Sequence, residues 1–188
     1  MEPEVKDEFL DILRRAKELG HPESYILITA FLSERLGGDF IIVGGLATAV
    51  YSLGAYRTLD ADVICAGDLQ KVKKGLELLG FKRNRVWWHE EADYAIDIVS
   101  GHAPERTEIL EVNGYKVRVA SPEDVLANDL AGYKFWGERL DFDRALLVFK
   151  AQKDRIDKEY AKKRVRAKEV EDVFKELEDQ AAGQIIRE

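Results

Sequence analysis

The fold is decided by one stretch of the sequence, FIIVGGLATAVYSLGAYRTLDADVI, which runs from Phe40 to Ile64. Its pattern predicts a buried strand, a glycine turn, a short helix and a second strand, over Phe40–Val43, Gly44-Gly45, Leu46–Leu53 and Tyr56–Ile64. A strand that meets a helix through two glycines presents backbone N–H groups at a helix N-terminus, which is a phosphate-binding geometry. A plain tight turn is the alternative interpretation of the same glycines.

The second predicted strand carries two carboxylates, Asp60 and Asp62. Because they are spaced i and i+2, they point to the same face of a strand. Two like charges on one face repel each other, and a hard divalent cation with oxygen ligands is the simplest group to lie between them. The alternative is a solvated pair of acids at the start of a strand.

A third acid, Asp97, interrupts the apolar strand predicted over Tyr94–Val99. A buried acid is costly without a partner. If this strand lies next to the strand of Val63, three carboxylates converge and suit one or two Mg²⁺ (or Mn²⁺) ions. Structural pairing of Asp97 with Arg83 or Arg85 is the alternative.

The rest of the chain predicts an α/β (α+β) fold, with a mixed sheet of about five to six strands flanked by helices. A helical crossover joins the first two strands, and Asn113-Gly114 signals a hairpin between Thr107–Val112 and Tyr115–Val119. One further strand is expected over Phe81–Trp88. Helices are expected over Val5–Leu19, Glu23–Leu36, Gly67–Gly80, Pro122–Trp136 (with Ser121 as N-cap), Asp141–Tyr160 and Arg166–Ala182, and the tail from Gly183 is expected to fray.

Two regions follow from this pattern. Residues 1–120 form a core with two N-terminal helices that cover one face of the sheet, and residues 121–188 form a helical C-terminal region packed on the core. The basic run Lys150–Lys168 is interpreted as a solvated helix face, with a groove for RNA or a triphosphate as the alternative.

Composition narrows the function classes. The 188 residues carry a formal charge of −7, which argues against bulk non-specific binding of nucleic acid. The single cysteine, Cys65, excludes a disulfide framework within the chain. Since no signal peptide or membrane-spanning run is visible, we expect a cytoplasmic protein that makes no use of a membrane. The high charged fraction of 35% is typical of a thermophile. His89 and His102 are interpreted as surface or loop histidines.

The motif VGGLATAVYSLGAYRTLDADV resembles the signature of the polymerase-beta-like nucleotidyltransferase superfamily, a glycine turn and a helix followed by Asp-x-Asp. Asp97 matches the third carboxylate of that pattern. With the fuller form, Y-R-T before Asp60 and S-P-E-D from Ser121, the chain is similar to minimal nucleotidyltransferases related to abortive-infection toxins. The resemblance covers roughly residues 40–147.

The resemblance implies transfer of a nucleoside monophosphate from an NTP to an acceptor hydroxyl, on a tRNA, a protein or a small molecule. It implies that Asp60, Asp62 and Asp97 are catalytic and hold Mg²⁺ or Mn²⁺, with Asp97 serving the nucleophile. It also implies nucleotide contacts from Gly44, Gly45, Thr48, Arg57, Thr58 and Lys134, although Arg57 and Thr58 could instead brace the strand.

Two positions depart from the family pattern. Leu46 stands where many members have a serine, and Asp129 stands near a position that is often lysine. They favour the alternative function, a nucleotidyltransferase-fold protein of weak or no activity that acts through protein contacts, for example with an antitoxin-like partner.

Overall fold

The computed structural model describes residues 3–183, and these residues form eight α-helices and a seven-stranded sheet. The helices are α1 (Pro3–Lys17), α2 (Glu23–Leu36), α3 (Gly44–Tyr51), α4 (Leu69–Leu78), α5 (Pro122–Trp136), α6 (Arg139–Gln152), α7 (Lys158–Ala167) and α8 (Glu171–Ala181). The strands are β1 (Phe40–Ile42), β2 (Ala61–Cys65), β3 (Lys82–Arg83), β4 (Trp87–His89), β5 (Tyr94–Ile98), β6 (Thr107–Val112) and β7 (Tyr115–Ala120). The tail was expected to fray, and its residues from 184 onward lie outside the described part of the chain.

The sheet is mixed, as predicted, and its strand order is β3-β4-β5-β2-β1-β7-β6. The pairs β1–β7 and β2–β5 are parallel, and the remaining pairs are antiparallel. The predicted crossover between the first two strands is wrong, because β1 and β2 are antiparallel neighbours, with Ile42 opposite Val63. The chain leaves β1 through α3, and β2 then runs beside β1 in the opposite direction.

Three predicted boundaries move for local reasons. The second strand begins at Ala61 and not at Tyr56, since the hydroxyl of Thr58 donates to the backbone and side chain of Asp60 just before it. The single strand predicted over Phe81–Trp88 is two short strands, β3 and β4, which raises the strand number to seven among residues 3–183. The long helix predicted to reach Tyr160 breaks after α6, because Asp157 caps a new helix, α7.

The described chain divides into two compact units. Unit 1 comprises residues up to Leu46 together with 57–120, and unit 2 comprises 47–56 together with residues from Ser121 onward. The division near residue 120 coincides with the predicted boundary, whereas 47–56, expected in the core region, belong to unit 2. The division falls within α3.

Unit 1 contains the whole sheet. Helix α2 packs on β6, β7 and β1, and α1 packs on α2. The apolar face of α1 is buried, and Phe9 stacks on Phe31 of α2 with ring centroids 5.6 Å apart. The prediction that two N-terminal helices cover the sheet is therefore confirmed for α2, whereas α1 packs on α2.

His89 is not the surface or loop residue that we expected, because it is buried in β4 of unit 1. Its ring packs against Phe9 and Phe81, and its Nε2 lies 3.2 Å from the carbonyl oxygen of Leu79. Burial lowers the pKa of His89. This histidine is a core residue of unit 1.

Unit 2 is helical beyond the end of α3. Helices α5 and α6 pack closely, and α7 and α8 pack on them. Ser121 is the N-cap of α5, as predicted, and accepts a hydrogen bond from the backbone N–H of Asp124. Over residues 3–183, no helix is both long enough and apolar enough to cross a membrane.

Candidate functional site

Two of the three predicted carboxylates stand side by side in unit 1. Asp62 of β2 and Asp97 of β5 are directly opposite each other in the parallel ladder. Their neighbours Ala61, Val63 and Ile96 are buried, whereas Asp62 and Asp97 are partly exposed. Because side chains alternate along a strand, the two carboxylates share the face opposite that of their buried neighbours. The strand pairing on which their convergence depended is present.

The carboxylate of Asp62 lies against Gly44 and Gly45, which are the first two residues of α3, a helix that was predicted to begin at Leu46. The backbone N–H of Gly45 donates to Asp62 Oδ2 over 3.2 Å. A Cβ atom added to Gly44 would stand 2.3 Å from the same oxygen, and Gly44 also has a φ of +53°. Glycine at position 44 therefore avoids both a strained backbone conformation and a close contact of a Cβ atom with Asp62.

The same contact bears on the predicted phosphate-binding turn. An N–H group at the start of α3 faces a carboxylate, Asp62, in this structure. Helix N-termini favour anions in general, so the turn holds Asp62 by the same physics with which it would hold a phosphate. The roles of Gly44 and Gly45 in nucleotide binding stay predictions.

Asp60 lies one residue before β2, outside the ladder. Thr58 Oγ1 donates to Asp60 Oδ1 over 2.9 Å, and the backbone N–H of Thr58 lies 3.4 Å from His21 Nε2. Thr58 therefore braces the segment that leads into the strand, while Arg57 is exposed beside it. Burial, followed by the charge of Arg57, lowers the pKa of His21. Asp60 and Asp62 were predicted to share a face because both were expected on one strand. Since β2 begins at Ala61, that argument does not apply to Asp60.

Asp97 has a cationic neighbour. Arg83 Nη1 lies 3.9 Å from Asp97 Oδ1, and both side chains are partly exposed. The guanidinium of Arg83 also lies over the ring of Trp87, 5.6 Å from its centroid. The structural pairing set out as the alternative for Asp97 is thus present with Arg83, in a loose geometry that solvent weakens.

A cation site must be judged against this geometry. Within residues 3–183, no group of three or more His, Cys, Asp or Glu side chains is arranged to hold a metal ion. Mg²⁺ in phosphoryl-transfer proteins is commonly held by one or two carboxylates, with substrate phosphates and waters as the other ligands. Asp62 and Asp97 fit that smaller donor set, and the participation of Asp60 stays a prediction.

Two residues predicted to contact the nucleotide belong to unit 2. Thr48 is fully buried, and its hydroxyl donates to Asp129 Oδ2 over 3.3 Å. Lys134 Nζ lies 2.7 Å from Asp172 Oδ1 and 2.7 Å from the carbonyl oxygen of Glu169. A contact of either residue with a nucleotide stays a prediction and requires these bonds to be exchanged.

The departure at Asp129 has a structural explanation. Its carboxylate is buried and forms an ion pair with Arg144, which also lies 3.2 Å from Asp141. Burial raises the pKa of Asp129 to about 7, although the charge and hydrogen bond of Arg144 and the bond from Thr48 act in the opposite direction. Asp129 is thus part of the interior of unit 2.

Sequence reasoning missed a second buried network in unit 2. Asp124, fully buried, forms an ion pair with Arg164 at 2.6 Å and accepts a hydrogen bond of 2.8 Å from the hydroxyl of Tyr160. The neighbouring Glu123 accepts the backbone N–H of Asp157 at the start of α7. The S-P-E-D motif therefore ties α5 to α7. The sequence shows two acids in the first turn of α5, which is an ordinary pattern at a helix N-terminus, and the basic partner of Asp124 lies 40 residues further along the chain.

Comparison of the chain with family models, with curated proteins and with solved structures gives no match. The likeness to nucleotidyltransferases consequently rests on the motif residues of the sequence.

Proposed function

We propose that this chain is a metal-dependent nucleotidyltransferase, which moves a nucleoside monophosphate from an NTP to an acceptor hydroxyl. One observation carries the proposal: Asp62 and Asp97 lie opposite each other on adjacent parallel strands, with the Gly44-Gly45 turn against Asp62. Two like charges placed opposite each other in a sheet are unfavourable on their own. Such an arrangement favours a bound cation.

The residues suit the chemistry of this transfer. Asp62 and Asp97 would hold Mg²⁺ or Mn²⁺, which when bound neutralises the charge of the triphosphate. The oxygen of the acceptor hydroxyl attacks the α-phosphorus, and the bond from that phosphorus to the leaving pyrophosphate breaks. Asp97 would accept the proton of the hydroxyl or orient it, while the hydrogen bond from Gly45 would position Asp62 to hold the metal.

Binding provides the first test, because it needs no knowledge of the acceptor. Isothermal titration of the wild-type chain with each NTP in the presence of Mg²⁺ should give saturable binding that is lost in Asp62→Ala. The control is Glu111→Gln on β6, which removes one exposed carboxylate of the same sheet. Absence of Mg²⁺-dependent binding, or binding that is equal in wild type and Asp62→Ala, contradicts the proposal.

Turnover provides the second test. With α-labelled NTPs and total tRNA, protein or aminoglycoside acceptors, we expect label transfer that falls about a hundred- to a thousandfold in Asp97→Asn. Glu111→Gln should retain wild-type transfer. Equal transfer by wild type and Asp97→Asn contradicts the role of Asp97.

A second candidate function is favoured by the surface of unit 2. Phe135, Trp136 and Leu140 at the junction of α5 and α6 are 54%, 77% and 55% exposed. Exposed apolar side chains that are close in the chain favour a site of protein contact. The candidate is a protein that acts through such contacts, like one component of a toxin–antitoxin pair. If it arrests the growth of a bacterial host, the arrest should depend on Trp136 and not on the carboxylates. Growth arrest that persists in Asp62→Asn but is lost in Trp136→Ser would support this candidate over the enzyme.

A further inference from the structure

Unit 2 contains a cavity that the proposed function does not use. Its volume is about 370 Å³, and it lies among the end of α6, the segment that follows it, α7 and α8. Ligand pockets for small molecules span roughly 300–1,000 Å³, so this cavity is within the range for a small organic ligand. It shares no residue with the Asp62–Asp97 pair.

The inner wall of the cavity is aromatic. Phe149 of α6 and Phe174 of α8 both line it, with ring centroids 5.9 Å apart and planes at 87°. Each ring is only partly buried, and Ala161 of α7 adds a small apolar surface beside them. Apolar walls with adjacent aromatic faces accept a flat ring by stacking and edge contacts.

The rim of the cavity is cationic. Four lysines line it, Lys150, Lys153, Lys158 and Lys162, and two carboxylates, Asp154 and Glu178, stand among them. Lys162 pairs with Glu159 at 3.1 Å, whereas no ion pair within 4.0 Å joins Lys150, Lys153 or Lys158 to a residue of the described part of the chain. In a chain with a formal charge of −7, a rim with an excess of cations is a local reversal of sign.

Charge and shape together define the ligand. The lysines favour an anion, and the phenyl rings favour a flat apolar body attached to it. The carboxylates of Asp154 and Glu178 accept hydrogen bonds, for which a ribose supplies hydroxyl donors. A fatty acid would meet the cations and the rings but has no hydroxyl groups to donate to the two carboxylates.

We infer that this cavity binds a nucleoside phosphate, with the base against Phe149 and Phe174 and the phosphate at the lysine rim. The site does not depend on Mg²⁺, because ammonium groups supply the charge. This inference does not rest on the proposed function. The two sites can be distinguished because binding at the Asp62–Asp97 pair should require Mg²⁺, whereas binding at the cavity should not.

The test is titration of the full chain in EDTA with AMP, GMP, CMP and UMP, with adenosine and inorganic phosphate as partial ligands. We expect at least one monophosphate to bind about tenfold more tightly than adenosine or phosphate alone, since base and phosphate contacts act together. NMR shifts of the wild-type chain should fall on the Phe149, Phe174 and Ala161 signals. No saturable binding by any monophosphate, or shifts confined to unit 1, overturns the inference.

Variants at the exposed rim sharpen the test without touching the core. The double substitution Lys153→Gln with Lys158→Gln should weaken monophosphate binding about tenfold, because each ammonium interacts with the phosphate across solvent. The matched control is Lys175→Gln, an exposed lysine of α8 that does not line the cavity. Equal weakening by the control overturns the assignment of the rim.

Asp62→Asn separates the inference from the proposed function. Monophosphate binding in EDTA should be unchanged in this variant. If Mg²⁺-dependent NTP binding is absent from the wild type while EDTA-resistant binding persists, the proposed function fails and the cavity site stands. If monophosphate binding in EDTA is lost with Asp62→Asn, the cavity is not the site.

Discussion

The two units use aspartate in opposite ways. In unit 2, Asp124 and Asp129 are buried, and each forms an ion pair with an arginine, Arg164 and Arg144. In unit 1, Asp62 and Asp97 are partly exposed and lie opposite each other, with Arg83 at 3.9 Å as the cationic neighbour of Asp97. A buried charge must be paired to be tolerated, whereas two adjacent acids at a partly exposed face repel each other, and solvent and their protein neighbours reduce that repulsion. The two buried acids of unit 2 are thus partners of arginines in its interior, whereas the acids of unit 1 are at a partly exposed face, where the proposed function gives them a cation to bind.

The largest expected effect is on the stability of unit 2. Arg164→Met keeps much of the side-chain volume but leaves Asp124 buried without its cation. We expect a loss of about 3–5 kcal/mol in the free energy of unfolding, measured by denaturant titration.

The control for this variant is Arg166→Met, two residues later. Arg166 is 81% exposed and pairs with Glu171 at the surface. Its loss should change the free energy of unfolding by less than about 0.5 kcal/mol. If the two variants are equally stable, the Asp124–Arg164 pair does not maintain the fold.

The next effect is a pH dependence at Asp129. Because burial raises the pKa of Asp129 from 3.8 to about 7, the folded state holds the proton more tightly than the unfolded chain. The stability of unit 2 should therefore fall as the pH rises from 3.8 to about 7, by at most about 4.5 kcal/mol at about 1.4 kcal/mol per pKa unit.

Hydrogen exchange of α5 and α6 measures this change within unit 2. In Asp129→Asn, which cannot ionise at that position, the fall in protection across the same pH window should be smaller than in wild type. Identical pH profiles for wild type and variant would show that Asp129 does not titrate in this range.

A smaller effect concerns the glycine turn of unit 1. Gly44→Ala places a methyl group 2.3 Å from Asp62 Oδ2 at a φ of +53°, so we expect a loss of about 1–3 kcal/mol in the free energy of unfolding.

Gly114→Ala is the matched control, because Gly114 also has a positive φ but nothing within 4 Å of an added Cβ. It measures the backbone cost alone. A loss in Gly44→Ala that does not exceed the loss in this control would mean that Asp62 moves aside, and that the turn does not fix its carboxylate.

Local signals predicted much of this structure. The hairpin at Asn113-Gly114 forms as expected, since both residues have the positive φ that its turn requires. Ser121 caps α5, and the apolar periodicity of α1 predicts its buried face, whereas α2 is buried continuously from Ile26 to Ser33. Each of these features depends on residues within one or two turns of one another. The break before α7 was missed because Asp157 lies in a polar run that is also compatible with a continuous helix.

The sequence predicts which carboxylates form the candidate site, but it does not predict the strand pairing that brings two of them together. The sequence shows that Asp62 and Asp97 lie on strands, but the register that places them opposite each other depends on β5 being next to β2. Strand order is a non-local property, and periodicity carries no information on it. For the same reason the direction of β1 relative to β2 was predicted wrongly. The partners of Asp129 and Lys134 were missed because they lie on other helices.

The smallest predicted effect tests the difference between the acids of the two units, because the loss of Asp97 should stabilise the fold whereas the loss of a paired charge destabilises it. Asp97→Asn removes one of two like charges placed opposite each other, at the cost of a loose contact with Arg83, and should raise the free energy of unfolding by about 0.2–1 kcal/mol. Glu111→Gln removes an acid that lies opposite Lys116 at 3.4 Å, and should lower it by a similar amount. Denaturant titration of both variants without Mg²⁺ measures the two signs. A destabilised Asp97→Asn would mean that Asp97 is held by its partners as the acids of unit 2 are, and that unit 1 keeps this carboxylate for its fold.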